Sequence, residues 1–483
     1  MDAWISAAVS TLYFAAVVLA VVTVLIRKKE TASALGWSLA IVFLPFIGLG
    51  LFLLVGWNRI SKKLRRKIIH RREFPSQLVE GTTEDFRSAL GHIVTPTEER
   101  WQPVEKLLRD LDQGPRRTGN YVELYSQGVP AFEEMERAIA EATHHIHVEF
   151  FIFRDDELGR RATAALVKKA KEGVKVRVLV DGVGSRGNNR LLREIRRAGG
   201  EGLKFLPLRP FGRATPHLRN HRKIVICDGR VAFFGGFNVG VEYLGGWRNR
   251  GRDWFDLHVR LEGPSVWDLQ EVFLEDWDFA VGDAKELDPE GYFPEPIVSG
   301  GAPVQIIASG PDQSVNAIRQ AFIAAFTRAT DRIRVLTPYL VPDVTLRDSL
   351  MVAARAGIEV EIVMQFPPAD HMVVQLCGEY FMQELLAAGV KIYGFREGMM
   401  HAKAVTVDHE WGMIGTANLD NRSLHLNFEQ MAILDGAAEV DELDRAFEEV
   451  RDRSTPYTLE GLEGRPWTRR ALSNASRLLA PVL

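Results

Sequence analysis

Two short polar constellations carry the chemistry that this sequence could perform. His221-Arg-Lys223 is followed by Ile-Val-Ile-Cys and then Asp228, and His401-Ala-Lys403 by Ala-Val-Thr-Val and then Asp408. Both obey H-x-K-x4-D. On an extended strand residues i and i+2 share a face, so each histidine points together with its lysine while the apolar residues that follow enter the core. Each motif leads to a glycine-turn-asparagine element, Gly235-Gly236-Phe-Asn238 and Gly415-Thr416-Ala-Asn418. Gly236 stands where the second copy carries the hydroxyl of Thr416, so a hydroxyl contact to phosphate is expected on one side only. Further on come the candidate carboxylates Asp256, in competition with Asp253, and Glu429. Asp228 and Asp408 complete the motifs, but a structural place at a strand end or turn suits them better than proton transfer.

The elements that must position these residues can be read as one unit written twice. Helical patterns at 132–143 and 317–330 precede strands at 145–153 (HIHVEFFIF) and 333–341 (IRVLTPYLV). Helices at 160–171 and 346–356 then lead to strands at 174–180 and 358–364. A further helix (189–198; 375–388) and strand (203–206; 390–393) follow in each copy. Alternation of this kind predicts an α/β fold with parallel or mixed sheets flanked by helices, two copies forming a pseudo-dimer with a shared site at their junction.

At this point the residues resemble the phospholipase D superfamily, whose signature is the doubled motif. The match covers roughly residues 119–455 and is most similar to bacterial cardiolipin synthases. It rests on HIHVEFFIFRDD, RNHRKIVICDGRVAFFGGFNVGVEYLG and HAKAVTVDHEWGMIGTANLDNRSLHLNFE. The phrase DLHVRLEGP favours Asp256 over Asp253. The resemblance implies His221 as nucleophile, forming a phosphohistidine, and His401 as general acid and base, with a swapped assignment left open by the near symmetry. Asp256 and Glu429 would accept the Nδ1 protons and orient the rings, while Lys223 and Lys403 supply positive charge to phosphoryl oxygens. No cofactor or metal is expected, since there is no HExxH, no cysteine cluster and no acidic triplet on one strand.

The remaining composition sets the surroundings. Residues 5–26 carry no charge, and about 22 residues at ~1.5 Å each span roughly 33 Å of hydrocarbon. A second uncharged stretch, 31–58, is interrupted by Pro45, Gly48 and Gly50. A transmembrane helical hairpin with a kinked second arm is expected, a re-entrant arm being the alternative. Three basic residues (Arg27, Lys28, Lys29) lie in the turn, against Arg59, Lys62, Lys63, Arg65, Arg66, Lys67, Arg71 and Arg72 after the hairpin. The larger cluster places the catalytic body on the cytoplasmic side of a bacterial inner membrane and suits anionic lipid. The chain thus divides into a hairpin (1–58), a basic linker (59–118), two catalytic repeats (119–300 and 301–460) and an amphipathic tail (461–483). That tail is read either as an interfacial helix or as packed on the body.

Phosphatidylglycerol is the substrate that the resemblance implies, giving cardiolipin and glycerol. A hydrolase or a transferase to another alcohol is the alternative, and oligomeric state stays open. A net charge of −3 and the apolar stretches argue against a nuclease, and two intact motifs argue against an inactive scaffold. Arg219 and Arg222 could touch a second phosphate or be solvated, Glu149 could line the pocket or be a satisfied buried carboxylate, and Pro338 and Tyr339 suit core packing.

Overall fold

The β-branched runs after the two lysines are strands, Lys223–Cys227 and Ala404–Val407. Each turns into an antiparallel neighbour, Val231–Gly235 and Trp411–Gly415. Asp228 and Asp408 sit at these turns with positive φ, 55° and 54°, a conformation that short polar side chains tolerate better than most.

The computed structural model describes residues 2–27, 31–44, 46–52, 97–207, 217–245, 253–282, 291–366 and 372–483. These fall into two compact units, 1–65 and 66–483. In the larger unit one long sheet runs through both repeats. From one edge its order is Glu201–Phe205, Lys175–Asp181, His145–Phe150, Lys223–Cys227, Val231–Gly235, His258–Glu262 and Arg117–Tyr125. The last of these pairs antiparallel with Ala302–Ser309. From there the same order unfolds outward: Asn427–Leu434, Trp411–Gly415, Ala404–Val407, Arg332–Leu336, Glu359–Gln365 and Lys391–Phe395, with Ser454–Pro456 as an added edge. The repeats therefore meet back to back across one strand pair.

The sheet is mixed. Crossover helices connect three parallel strands in each copy, Glu201–Phe205, Lys175–Asp181 and His145–Phe150 in the first and Arg332–Leu336, Glu359–Gln365 and Lys391–Phe395 in the second. The hairpins at Asp228 and Asp408 and the joining strands make the centre antiparallel. The Asp228-Gly229 pair was a hairpin signal within the sequence itself. Strands Val231–Gly235, His258–Glu262, Trp411–Gly415 and Asn427–Leu434 were not anticipated, nor were Arg117–Tyr125 and Ala302–Ser309, the two that join the copies.

Symmetry extends to helix starts. Glu157–Lys171 and Val344–Arg355 each begin after an aspartate, Asp156 and Asp343, whose carboxylate accepts the backbone N–H of Gly159 or Leu346. Such a cap satisfies a donor that the first helical turn leaves open. Each copy then closes its own apolar core, one around Val148, Val178, Val225 and Phe233, the other around Val335, Ile362, Val405 and Met413.

In the smaller unit, helix Asp2–Arg27 is followed by Thr31–Phe43 and, after Pro45, Ile47–Leu51. Ala20, Val24, Ala34, Ile41 and Phe52 pack together between them. The second arm is described as two helices, and the Gly48 N–H donates to Leu44 O at 2.7 Å across the interval between them. Side chains of the first helix are described from residue 11 to 26, and among the described residues no helix is long and apolar enough to cross a membrane. Residues 53–58 and the basic cluster from Arg59 to Arg72 lie outside the described residues.

Candidate active site

The strand that carries each histidine crosses to the other repeat just before reaching it. Arg219–Asn220 pairs in parallel with residues 427–428, and the His221 amide donates to Phe428 O at 2.9 Å. In the same way Gly398–Met400 pairs in parallel with Asp253–Phe255, and the His401 amide donates to Phe255 O at 2.7 Å. Each ring consequently meets the carboxylate of the opposite copy. His221 Nδ1 lies 3.0 Å from Glu429 Oε2, with Thr416 O at 3.2 Å, and His401 Nδ1 lies 2.7 Å from Asp256 Oδ2. A carboxylate at Nδ1 requires the proton there, which leaves Nε2 of each neutral ring with its lone pair free.

Both lysines fold back on their own motifs. Lys223 Nζ donates to His221 O at 2.6 Å, and Lys403 Nζ donates to His401 O. The two histidines are only 8% exposed and the lysines are fully buried. Burial pulls His221 down to about 4, with Glu429 opposing it, and burial followed by Lys403 pulls His401 down to about 4. Burial also pulls Lys223 down to about 7, against Glu429. For Asp256, burial favours the neutral acid, yet Lys403 and His401 outweigh it and hold the carboxyl below its ordinary range. Glu429 is lowered likewise, with His221 and Lys223 overcoming burial. Lys403 acts on His221 and Lys223 acts on His401, so charges from both copies share one electrostatic environment.

The two carboxylate settings differ in a compensating way. A Cβ at Gly236 would lie 1.8 Å from Asp256 Oδ1. Aspartate is one methylene shorter than glutamate, so its carboxylate occupies the space that the side chain of Thr416 fills in the other copy. The hydroxyl of Thr416 is bonded within the protein. It accepts the Gln430 N–H at 2.9 Å and donates to Gln430 O at 3.1 Å, locking adjacent strands.

Asn238 Oδ1 accepts the Ile152 N–H at 3.2 Å, and Asn418 Nδ2 donates to Asp420 at 3.0 Å. The Oδ1 of Asn418 is buried with no hydrogen bond among the described residues. Asp228 turns toward the chain before its neighbouring strand, accepting the N–H groups of Thr143, His144 and His145 at 2.7–2.9 Å. Asp408 does the same for Thr330, Asp331 and Arg332 at 2.7–2.8 Å and binds Arg100. Neither is bonded to the ring of His221 or His401.

Arg219 and Arg222 are neither solvated nor directed outward. Arg219 pairs with Asp181 at 3.3 Å, and Arg222 pairs with Asp276 while donating to Glu429 O at 3.2 Å. Glu149 is buried and accepts from Asn220; burial, and then the nearby Asp276 carboxylate, push its pKa well up.

Three aromatic neighbours were missed. Tyr243 Oη approaches Asp256 Oδ2 at 3.4 Å and His401 Nδ1 at 3.5 Å. The ring of Trp254 lies 5.7 Å from that of His401, and Phe151 lies 5.0 Å from His221. Their only trace in sequence was proximity to the motif phrases. Among the described residues, the side chains close enough to share a cation are His409, Asp441 and Asp444. Arg332 and Arg334 already pair with Asp444, and none of the three touches His221 or His401.

The family model described as "Cardiolipin synthase, PLD-like domain" matches residues 135–274 and 322–451, one segment in each repeat. A second, "Phospholipase D-nuclease N-terminal", matches residues 15–57. Cardiolipin synthase 1 of Bacillus cereus is 36% identical over 469 residues, covering 95% of this chain and 91% of the relative. The major cardiolipin synthase of Bacillus subtilis is 35% identical over 488 residues, covering 99% and 100%. Among solved structures, phosphatidylserine synthase of Haemophilus influenzae shares the fold with a TM-score of 0.61 at 15% identity, over 79% of this chain and 100% of that one.

Proposed function

The chain belongs to the family of cardiolipin synthases with phospholipase D-like domains, and from that premise we propose that it transfers a phosphatidyl group between two phosphatidylglycerol molecules, releasing glycerol. The observation that carries this reading is the crossed pairing, His221 on Glu429 and His401 on Asp256, which readies two Nε2 atoms for one phosphorus. His221 Nε2 attacks, a nitrogen–phosphorus bond forms, and the phosphorus–oxygen bond to the leaving glycerol breaks. The departing oxygen takes a proton from His401 Nε2. That proton is acquired when the phosphodiester anion enters and raises the affinity of the neighbouring groups for protons. Lys223 and Lys403 neutralise the phosphoryl oxygens. In the second half His401 removes the proton of the acceptor's terminal hydroxyl, the new oxygen–phosphorus bond forms and His221 leaves. A buried site excludes water from the phosphohistidine, which a transferase requires.

The same proposal places the apolar N-terminal segment in the cytoplasmic membrane of a bacterium as a hairpin, with the catalytic unit on the cytoplasmic side. In its support, residues 5–26 are uncharged, and Leu12, Phe14, Leu19, Leu25 and Ile26 are exposed on the helix that contains them. Lipid rather than nucleic acid is the partner that a net charge of −3 suits.

Detergent-solubilised protein supplied with phosphatidylglycerol alone tests the reaction. Cardiolipin and free glycerol in equal amounts are expected. Phosphatidic acid as the main product would make the enzyme a hydrolase, and no lipid product at all would remove the catalytic reading.

A further inference from the structure

A helix on the surface of a protein ordinarily buries its apolar side chains and turns polar ones outward. Residues 467–482, the helix Trp467–Ser476 and the 3-10 turn Arg477–Val482, do the reverse. The side resting on helix Met372–Ala387 is polar or small. Ser473 and Ser476 are buried, and Ser473 Oγ donates to Leu376 O at 2.8 Å. Arg469 holds Glu379 through two bonds, at 2.6 and 3.1 Å, and Arg465 pairs with the same carboxylate at 2.6 Å. Ala480 closes a small cluster with Val341, Cys377 and Phe381. Facing away are Trp467 at 73% exposure, Leu472 at 58%, Leu478 at 78% and Leu479 at 48%, and Met372 on the supporting helix is 71% exposed. Arg470 is exposed among them, while Arg477, also exposed, turns back to the supporting helix and donates to Tyr380 Oη at 2.7 Å.

Ion pairs and hydroxyl bonds spent on holding a helix with its apolar side outward make sense where the outside is itself apolar. We propose that this face lies in the interfacial layer of an anionic bilayer, with Trp467 at headgroup depth, the leucines below it and Arg470 against lipid phosphates. The tail is also tied to the site. Arg422 N donates to Leu483 O at 2.8 Å, and Arg422 lies in the short helix Asn421–His425 that follows Asn418 and Asp420. Lipid contact at the tail would therefore bear on the segment leading from the second motif. The proposal rests on the lipid-substrate reading for its choice of a bilayer, but it concerns binding rather than chemistry.

Because Cys227 and Cys377 are both buried, a thiol-reactive bimane probe will report on introduced cysteines. In the full-length protein reconstituted into vesicles of phosphatidylglycerol and phosphatidylcholine, Leu472→Cys and Leu478→Cys probes should be quenched by doxyl-labelled lipid at least twofold more than a probe at exposed Glu172→Cys. Quenching at the level of the Glu172 site would overturn the proposal. So would equal quenching in pure phosphatidylcholine, or disulfide formation between two chains through Leu478→Cys in place of quenching. Cardiolipin formation is measured in the same vesicles. Unquenched probes beside full transfer refute the tail contact alone, and quenched probes without transfer refute the reaction alone.

Discussion

One histidine is held by an aspartate and the other by a glutamate, and the residue beside each carboxylate is matched to its length. Gly236 leaves room for Asp256, and Gly236→Ala would put a methyl group 1.8 Å from Asp256 Oδ1. The expected result is a displaced carboxylate and a fall in cardiolipin formation on the order of 10²–10⁴-fold, the range for a misdirected general acid–base, with the melting temperature little changed. Wild-type rates in that variant would show that the close approach does not position Asp256. The crossed pairs also separate the covalent role from the proton-transfer role. Asp256→Asn disturbs His401 in both half-reactions and should slow turnover while the phosphoryl label, when it forms, still sits on His221. Glu429→Gln should weaken the attack of His221 itself, so that little labelled enzyme forms after mixing with labelled lipid. A label found on His401 in either variant would exchange the roles of the histidines.

At the scale of elements, the last residue of each motif is a latch. Asp228 gathers three consecutive backbone N–H groups ahead of strand His145–Phe150, and Asp408 gathers three ahead of Arg332–Leu336. These bonds hold both carboxyls below their ordinary range although burial opposes it. Asp228→Ala and Asp408→Ala should each cost about 2–4 kcal/mol, since several backbone donors lose a charged acceptor. Denaturant midpoints would record that loss, while the turnover of the folded fraction stays within a few-fold of normal. A collapse of turnover with unchanged stability would make them participants in the chemistry. Most helices and strands were legible from periodicity, as with 189–198 against the observed Asn189–Arg197. The joining strands Arg117–Tyr125 and Ala302–Ser309 were not, because all their pairing partners, each other and the strands His258–Glu262 and Asn427–Leu434, lie far along the chain.

At the scale of the whole molecule, burial keeps several histidines neutral. It pulls His145, like His221 and His401, down to about 4, and His258 to about 3. The unfolded chain takes up protons near 6.5, so between that value and about 4 it binds more protons than the folded chain does. Stability must then fall as pH falls through this window, by up to about 1.4 kcal/mol per pH unit for each histidine. Lys223, lowered to about 7, adds a slope of the same sign between about 7 and 10.5. Denaturation free energies measured from pH 8 to pH 4.5 should decline steadily below 6.5. A flat profile down to pH 5 would mean that these rings are not buried neutral.

Local covalent geometry determined what the sequence could disclose unaided. Side chains at i and i+2 must share a face, so both His-x-Lys pairs, their repetition and the carboxylates Asp256 and Glu429 were all within reach of reading. Tertiary structure alone decided which carboxylate serves which ring, because the partners lie 208 and 145 positions apart and belong to opposite repeats. It likewise buried Arg219 and Arg222 in ion pairs, where the sequence left solvated charges open, and bonded the Thr416 hydroxyl to Gln430. Side-chain type gives a residue its possible bonds, and only the folded neighbourhood determines which of them are already made.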